Sequence, residues 1–133
     1  MKELKDRHFK IWTYTVSHGL LILRSPQIFP DMDNFSESKT YNVDIEFTDV
    51  KYLDIPSNLF DIKIDIITSM DLVPQKILLL NKIHNSKIFK IISENLSFYI
   101  LAHSYIIGKN NWFIEDRISN PNLQHDQILI TSE

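Results

Sequence analysis

Two adjacent side chains, Ser17 and His18, have the residue types of a hydroxyl nucleophile and its base. In an extended segment, however, neighbouring side chains point to opposite faces, so adjacency in the sequence does not by itself make a nucleophile and its base. A catalytic triad is assembled in space, and the sequence has no glycine-flanked nucleophile elbow. We therefore predict no catalytic residue here and interpret Ser17 to Gly19 as a turn, in which the glycine can adopt a positive φ.

Asp44 and Glu46 are a second candidate pair, since they lie two residues apart in a segment of alternating apolar and polar residues. On a strand they share one face, with about 7 Å between them. Paired carboxylates near that distance can serve a glycosidase or bind a cation. Because antiparallel sheets commonly expose one face to water, we predict that both acids are solvated. Arg24, at the end of an earlier strand, is predicted to pair with a carboxylate such as Asp44 or Glu46.

The histidines lack the spacing of a metal site. They are His8, His18, His84, His103 and His125. No two stand as His-x-His or His-x-x-x-His, and the chain has no cysteine to complete a zinc site. Glycine-rich phosphate loops are also absent. The sequence therefore predicts neither a metal nor a cofactor.

The elements that position these residues are predicted to be mainly strands. Tyr41 to Phe47 alternates apolar and polar residues with the period of two that a half-buried strand requires, and Leu59 to Ile67 repeats the pattern. Pro74 to Ile83 is predicted to be a short helix, although its apolar run would also fit a central strand. Many short strands separated by turns predict a mainly β fold, a single-domain antiparallel β-sandwich or open barrel with at most one short helix around residues 74–83.

The remaining boundaries follow from turn residues and apolar runs. Further strands are predicted at His8 to Val16, Leu20 to Ser25, Val50 to Ile55, Ile88 to Ser93, Leu96 to Ile107 and Trp112 to Ile118. Turns are predicted at Glu94-Asn95 and at Gly108 to Asn111. Residues 27–39 are predicted to form an exposed loop, and residues 119–133 either a loose tail or a short last strand at Ile128 to Ile130 within the domain 1–133.

Composition and charge narrow the classes of function. The absence of cysteine suits a reducing compartment, and Met1 to Lys10 has no apolar core typical of a signal peptide, so we predict a cytoplasmic protein without a membrane segment. Residues 31–71 contain ten acids and three lysines, whereas the net charge of the whole chain is −3. This acidic middle argues against nonspecific nucleic-acid binding and is compatible with a basic protein partner.

One stretch resembles a known group of sequences. Tyr14-Thr15-Val16-Ser17-His18-Gly19-Leu20-Leu21-Ile22-Leu23-Arg24-Ser25 matches a Tyr-x-Val-Ser-His-x-x-Leu-x-Leu-Arg-Ser segment of small bacterial proteins of uncharacterised activity. The resemblance covers residues 12–25 and, more loosely, 43–47. It implies a bacterial origin and a compact β domain, and it implies no activity.

Two classes of function follow from these observations. The first is a non-catalytic protein-interaction module, such as an immunity-type protein that binds a basic toxin domain through an acidic face. That face would contain Asp44, Glu46, Asp49, Asp54, Asp61 and Asp65. The alternative is a small apolar-ligand binding protein or enzyme with its site in the barrel mouth. Its candidate polar groups are His18, Arg24 and His103.

Overall fold

The computed structural model describes residues 4–33, 35–69 and 72–132. In this part of the chain, strands alternate with short connections and one α-helix is present. The strands are β1 (His8–Thr15), β2 (Leu20–Ser25), β3 (Asn42–Thr48), β4 (Tyr52–Asp54), β5 (Asn58–Phe60), β6 (Lys63–Ile66), β7 (Lys87–Ser93), β8 (Leu96–Ala102), β9 (Ser104–Asn110) and β10 (Gln127–Thr131). The helix is α1 (Gln75–His84), and Glu37–Lys39 forms a short 3₁₀ turn.

The strands form two antiparallel sheets that pack face to face as a β-sandwich. The six-stranded sheet has the order β10-β9-β3-β2-β1-β5, and the four-stranded sheet has the order β4-β8-β7-β6. Within the described residues, each sheet ends in edge strands and does not close on itself. The prediction of a sandwich is therefore confirmed, and the alternative of a barrel is not observed.

The core lies between the sheets and is formed by the apolar face predicted for β3. Val43, Ile45 and Phe47 are fully buried. Phe47 packs against Phe89 of the four-stranded sheet, with 5.7 Å between ring centroids and an angle of 70° between the rings. Such edge-to-face contacts are a preferred arrangement of aromatic rings. The alternating pattern therefore predicted correctly which side chains face inward.

The helix predicted around residues 74–83 is also confirmed. It begins after Pro74, whose fixed φ suits a helix start, and it ends at Asn85, which adopts the left-handed conformation with φ of 52°. Ile77 is its buried residue. It packs with Ile88 and Leu101 in a second, smaller apolar cluster, so α1 covers part of the four-stranded sheet.

Two predicted strands are each divided between the sheets. The run Leu96 to Ile107 breaks at the exposed His103, so β8 belongs to one sheet and β9 to the other. The run Leu59 to Ile67 breaks at Asp61, whose φ of 49° turns the chain from β5 into β6. The apolar pattern continues through both breaks because each half still faces the same core, so the pattern gave no sign of either break.

Two predictions for the last third of the chain are wrong. Gly108 to Asn111 is not a turn, because β9 pairs with β3 as far as Asn110. Trp112 to Ile118 is not a strand, since it contains turns and irregular backbone. Of the two alternatives for the tail, the structure shows the short last strand, because β10 pairs with β9 as the edge of the six-stranded sheet. The predicted turn at Glu94-Asn95 is confirmed, and both residues have positive φ.

The predicted loop at residues 27–39 is exposed in its middle and anchored at its ends; residue 34 lies outside the described residues. Residues 29–33 are exposed, whereas Gln27, Ile28 and Lys39 are half-buried. The Ile28 amide donates to the Lys39 carbonyl at 2.8 Å, which closes the base of the loop.

Gly19 has a φ of +60°, as its predicted turn requires, and its α-carbon faces the Val50 backbone. No helix in the described residues is long and apolar enough to cross a membrane.

Candidate functional site

The outer face of the six-stranded sheet carries a buried polar network. It is covered by residues 111–126, which connect β9 to β10 and which we call the covering segment. Hydrogen bonds join this segment to all the central strands below it: Trp12 and Thr13 of β1, Arg24 of β2, Asn42 and Glu46 of β3, and Asn110 of β9. The face that the sequence predicted to meet water is therefore buried.

Arg24 and Asp44 form the centre of this network. Arg24 Nε lies 2.6 Å from Asp44 Oδ1 and Arg24 Nη2 lies 2.9 Å from Asp44 Oδ2, and both side chains are fully buried. The predicted pairing is confirmed, but the solvated interpretation of Asp44 is wrong. Arg24 Nη2 also donates to the Glu115 carbonyl at 2.7 Å. The guanidinium carbon lies 4.8 Å from the Trp12 ring centroid and 5.9 Å from that of Trp112, so both rings add cation–π attraction.

Two asparagines connect this ion pair to the covering segment. Asn42 Nδ2 donates to Asn110 Oδ1 at 2.8 Å and to the Trp112 carbonyl at 2.7 Å. Asn110 Oδ1 accepts a further hydrogen bond from the Trp112 amide, and Asn110 Nδ2 donates to Asp44 Oδ2 at 3.2 Å. Because both amides are buried, these mutual bonds satisfy groups that would otherwise be costly to desolvate.

Glu46 is enclosed by His125 and Arg117 of the covering segment. Arg117 Nη1 donates to Glu46 Oε1 at 2.9 Å, and His125 Nε2 contacts Glu46 Oε2. Asn110 Nδ2 lies 3.1 Å from His125 Nδ1. Because an amide nitrogen can only donate, Nδ1 accepts, and Nε2 carries the proton that is donated to Glu46. The positive charge of Arg117 thus balances the charge of Glu46, and the Glu46 side chain is mostly buried. The prediction that Glu46 is solvated is therefore wrong.

The His125 ring requires a glycine beneath it. A Cβ built on Gly108 would lie 2.5 Å from His125 Cγ, a distance at which one of the two groups must move. Gly108 is opposite Asp44 in the sheet, so the ring lies directly over the pairing of β3 with β9. The glycine predicted to form a turn therefore has a packing role.

We expect Gly108→Ala to lower the free energy of unfolding by about 1–3 kcal/mol, because the added methyl group overpacks the His125 ring. The variant should also lose the hydrogen bond of His125 to Glu46, which NMR of the ring nitrogens detects. Urea unfolding measures the stability change. In a His125→Ala background the ring is absent, so adding Gly108→Ala should cost much less. An equal cost in both backgrounds would show that the ring does not lie over this glycine.

Asp44, Glu46 and His125 also form a candidate metal-ligand set, with ligand atoms within 4.8 Å of one another. Oxygen and imidazole donors would suit a divalent cation. Both carboxylates, however, are already paired with the guanidinium groups of Arg24 and Arg117. A cation would have to displace these pairs and would be repelled by both arginines. The arrangement therefore favours a structural polar network.

The three residues predicted for a barrel mouth do not converge. His18 is exposed at the hairpin turn, where its Nδ1 lies 3.1 Å from Ser17 Oγ, so these two side chains do not point to opposite faces as predicted. Arg24 is buried beneath the covering segment, and His103 is exposed where β8 passes into β9. The interior between the sheets is filled by apolar side chains, and these three residues do not meet in one cavity there. His18 does line a cavity of about 350 Å³ on the outer face, beside Glu46 and Arg117.

The six acids predicted to form one partner-binding face do not share a face. Asp44 and Glu46 are buried under the covering segment, and Asp49 is an exposed turn residue that pairs with Lys51 at 3.0 Å. Asp61 accepts a hydrogen bond from the Asp6 amide. Asp54 and Asp65 lie on the four-stranded sheet, opposite Tyr99 and Lys90 respectively.

The covering segment presents an apolar loop tip, consisting of Phe113 and Ile114, that sequence reasoning missed. These side chains are 69% and 66% exposed. Their apolar run with Trp112 resembled a strand, but a strand through residue 118 would place the charged Glu115, Asp116 and Arg117 in succession on both faces. That interruption was the available signal of a loop.

Ionised carboxylates help to hold this loop. Backbone hydrogen bonds, including those from the Phe113 and Ile114 amides, lower the pKa of Glu115 below its ordinary value. Burial raises the pKa of Asp116, but hydrogen bonds from Thr13 Oγ1 and from the Ile118 and Ser119 amides outweigh it and lower the pKa overall. Both side chains therefore stay charged near neutral pH and accept these hydrogen bonds.

Comparison of the chain with protein-family models, with curated proteins and with solved structures gave no match.

Proposed function

We propose that the protein is a non-catalytic protein-interaction module that binds its partner through the apolar loop tip. The observation that carries this proposal is the exposure of Phe113 and Ile114 on a backbone that buried residues hold in place. Large apolar side chains exposed side by side on a rigid loop are typical of recognition sites.

Hydrogen bonds to three carbonyls fix the loop before any partner arrives. The Trp112 carbonyl accepts from Asn42 Nδ2, the Ile114 carbonyl accepts from Trp12 Nε1 at 3.3 Å, and the Glu115 carbonyl accepts from Arg24. A loop that is already ordered loses less conformational entropy on binding, which raises affinity. An aromatic anchor that fills a partner's pocket is a common binding hot spot.

The charge of the chain supports a basic partner. The net charge is −3, and the exposed Glu115 follows the tip directly. Long-range attraction between an acidic and a basic protein speeds their association, while the apolar contact holds the complex. One concrete form of this proposal is an immunity-type protein in the bacterial cytoplasm that neutralises a basic toxin domain. In this form the tip replaces the acidic face as the main contact.

The proposal is tested with basic proteins encoded beside the gene for this chain, each mixed with the purified protein. For the partner that binds, we expect Phe113→Ala/Ile114→Ala to weaken binding by about 30-fold or more, since hot-spot truncations cost at least about 2 kcal/mol. Affinity should also fall between low and physiological salt, because exposed charges are screened. Calorimetry measures both effects.

The matched control is Leu79→Ala/Ile83→Ala, which removes an exposed apolar pair from α1, away from the covering segment. This control should leave the affinity unchanged. Equal affinities for the wild type and the loop-tip variant would contradict the proposed contact. Failure of every basic neighbour to bind would contradict the immunity-type form of the proposal.

A further inference from the structure

A cavity of about 300 Å³ lies where the start of β1, the end of β2 and the following loop meet. Among the described residues that line it, Arg7, Lys10 and Lys39 are cationic and Asp6 is acidic. In a chain with a net charge of −3, this concentration of positive charge is unexpected. The cavity is thus a local positive site on an acidic protein.

Arg7 is the fixed part of the cavity wall, since it is only 4% exposed. Its Nη1 donates to Ser25 Oγ and to the Tyr41 carbonyl, each at 3.3 Å. Its guanidinium carbon lies 4.8 Å from the centroid of the Tyr41 ring. Burial lowers the pKa of Arg7 and the Tyr41 contact opposes that shift, yet an arginine side chain stays charged at neutral pH.

The two lysines give the cavity a different property, because they can adjust to a ligand. Lys10 is exposed on β1 and Lys39 is half-buried at the base of the loop, so one lies on the sheet and the other on the loop. A rigid guanidinium together with two flexible ammonium groups suits a compact anion with several oxygens. Pro26, Ile28 and Met32 supply apolar lining to the same cavity.

We propose that this cavity binds a small organic phosphate, with the phosphate at Arg7, Lys10 and Lys39 and the organic part against Pro26, Ile28 and Met32. Three cations and the one acid Asp6 give the cavity a formal charge of +2, which a dianionic phosphate matches better than a single carboxylate does. The volume is at the lower end for ligand sites, which favours a ligand the size of a sugar phosphate. The proposal is independent of the loop tip, because it uses none of the same residues.

The probes are ribose 5-phosphate, ribose and inorganic phosphate, each titrated calorimetrically into the wild-type protein in a buffer free of phosphate. We expect ribose 5-phosphate to bind, inorganic phosphate to compete with it more weakly, and ribose to give no heat of binding. Lys10→Gln/Lys39→Gln should reduce the affinity for ribose 5-phosphate about tenfold or more, as loss of contacts to a charged group does.

The control variant is Lys82→Gln/Lys87→Gln, which removes the same charge from two exposed lysines elsewhere on the surface. It should bind ribose 5-phosphate as the wild type does, and thermal unfolding should show that both variants are folded. The proposal is overturned if ribose 5-phosphate does not bind, if ribose binds equally well, or if both variants lose the same affinity. It is also overturned if a single-stranded oligonucleotide binds in preference to ribose 5-phosphate, because the charges would then form part of an extended nucleic-acid surface.

Discussion

Replacing Asp44 by alanine is expected to lower the free energy of unfolding by about 3–5 kcal/mol. The substitution leaves the Arg24 guanidinium fully buried and without its carboxylate, and it also removes an acceptor of Asn110. A sequence reading that places Asp44 in water predicts a cost of at most about 0.5 kcal/mol. Urea unfolding followed by fluorescence distinguishes these two values.

Asp54→Ala is the matched control, because that acid is exposed on β4 and accepts a 3.2 Å hydrogen bond from the Tyr52 hydroxyl at the surface. It should change stability by less than about 1 kcal/mol. If the two alanine variants unfold at the same urea concentration, Arg24 and Asp44 do not form a buried pair in solution. Replacing both partners, as in Arg24→Met/Asp44→Leu, should cost less than Asp44→Ala, since no buried charge is then left alone.

Replacing Ile45 by alanine is expected to lower the free energy of unfolding by about 2–5 kcal/mol. Ile45 is fully buried at the centre of the sandwich core, between its strand neighbours Val43 and Phe47. Removal of its methyl and methylene groups leaves a void that the two packed sheets cannot close completely. Urea unfolding of the purified variant measures the loss.

Ile45→Val provides a graded comparison at the same position. It removes one carbon and should cost about 0.5–1.5 kcal/mol. If the alanine and valine variants are equally stable, the site must collapse around the smaller side chain or be less tightly packed than the structure shows. With Asp44→Ala, this series tests both faces of β3, and substitutions on either face are expected to be costly.

Local patterns in the sequence were sufficient to predict the inward face of β3, the helix and one of the turns. The alternation in β3, the proline before α1 and the turn at Glu94-Asn95 were each correct. These features depend on residues close together in the chain, because periodicity and turn conformation are local properties. The pairing of Arg24 with a carboxylate was also predictable, since a strand-end arginine and an outward acid have complementary charge.

The outer face was not predictable in the same way. Asp44 and Glu46 follow the alternating pattern of a solvent-exposed strand face. Nothing within a few residues of them in the sequence shows that another segment covers this face. Glu46 meets His125 across 79 positions and Thr13 meets Asp116 across 103 positions, so tertiary structure alone brings these groups together.

The sequence by itself determined a mainly β chain, the inward faces of its strands and the position of its helix, because side-chain alternation records which side of each strand is apolar. Only the tertiary structure decided that the polar side is also buried, that Gly108 makes room for His125, and that Phe113 and Ile114 are exposed. The physical reason is that a polar side chain can be satisfied equally by water or by a partner from a distant segment. The residue type is the same in both cases, so the choice depends on where the covering segment folds.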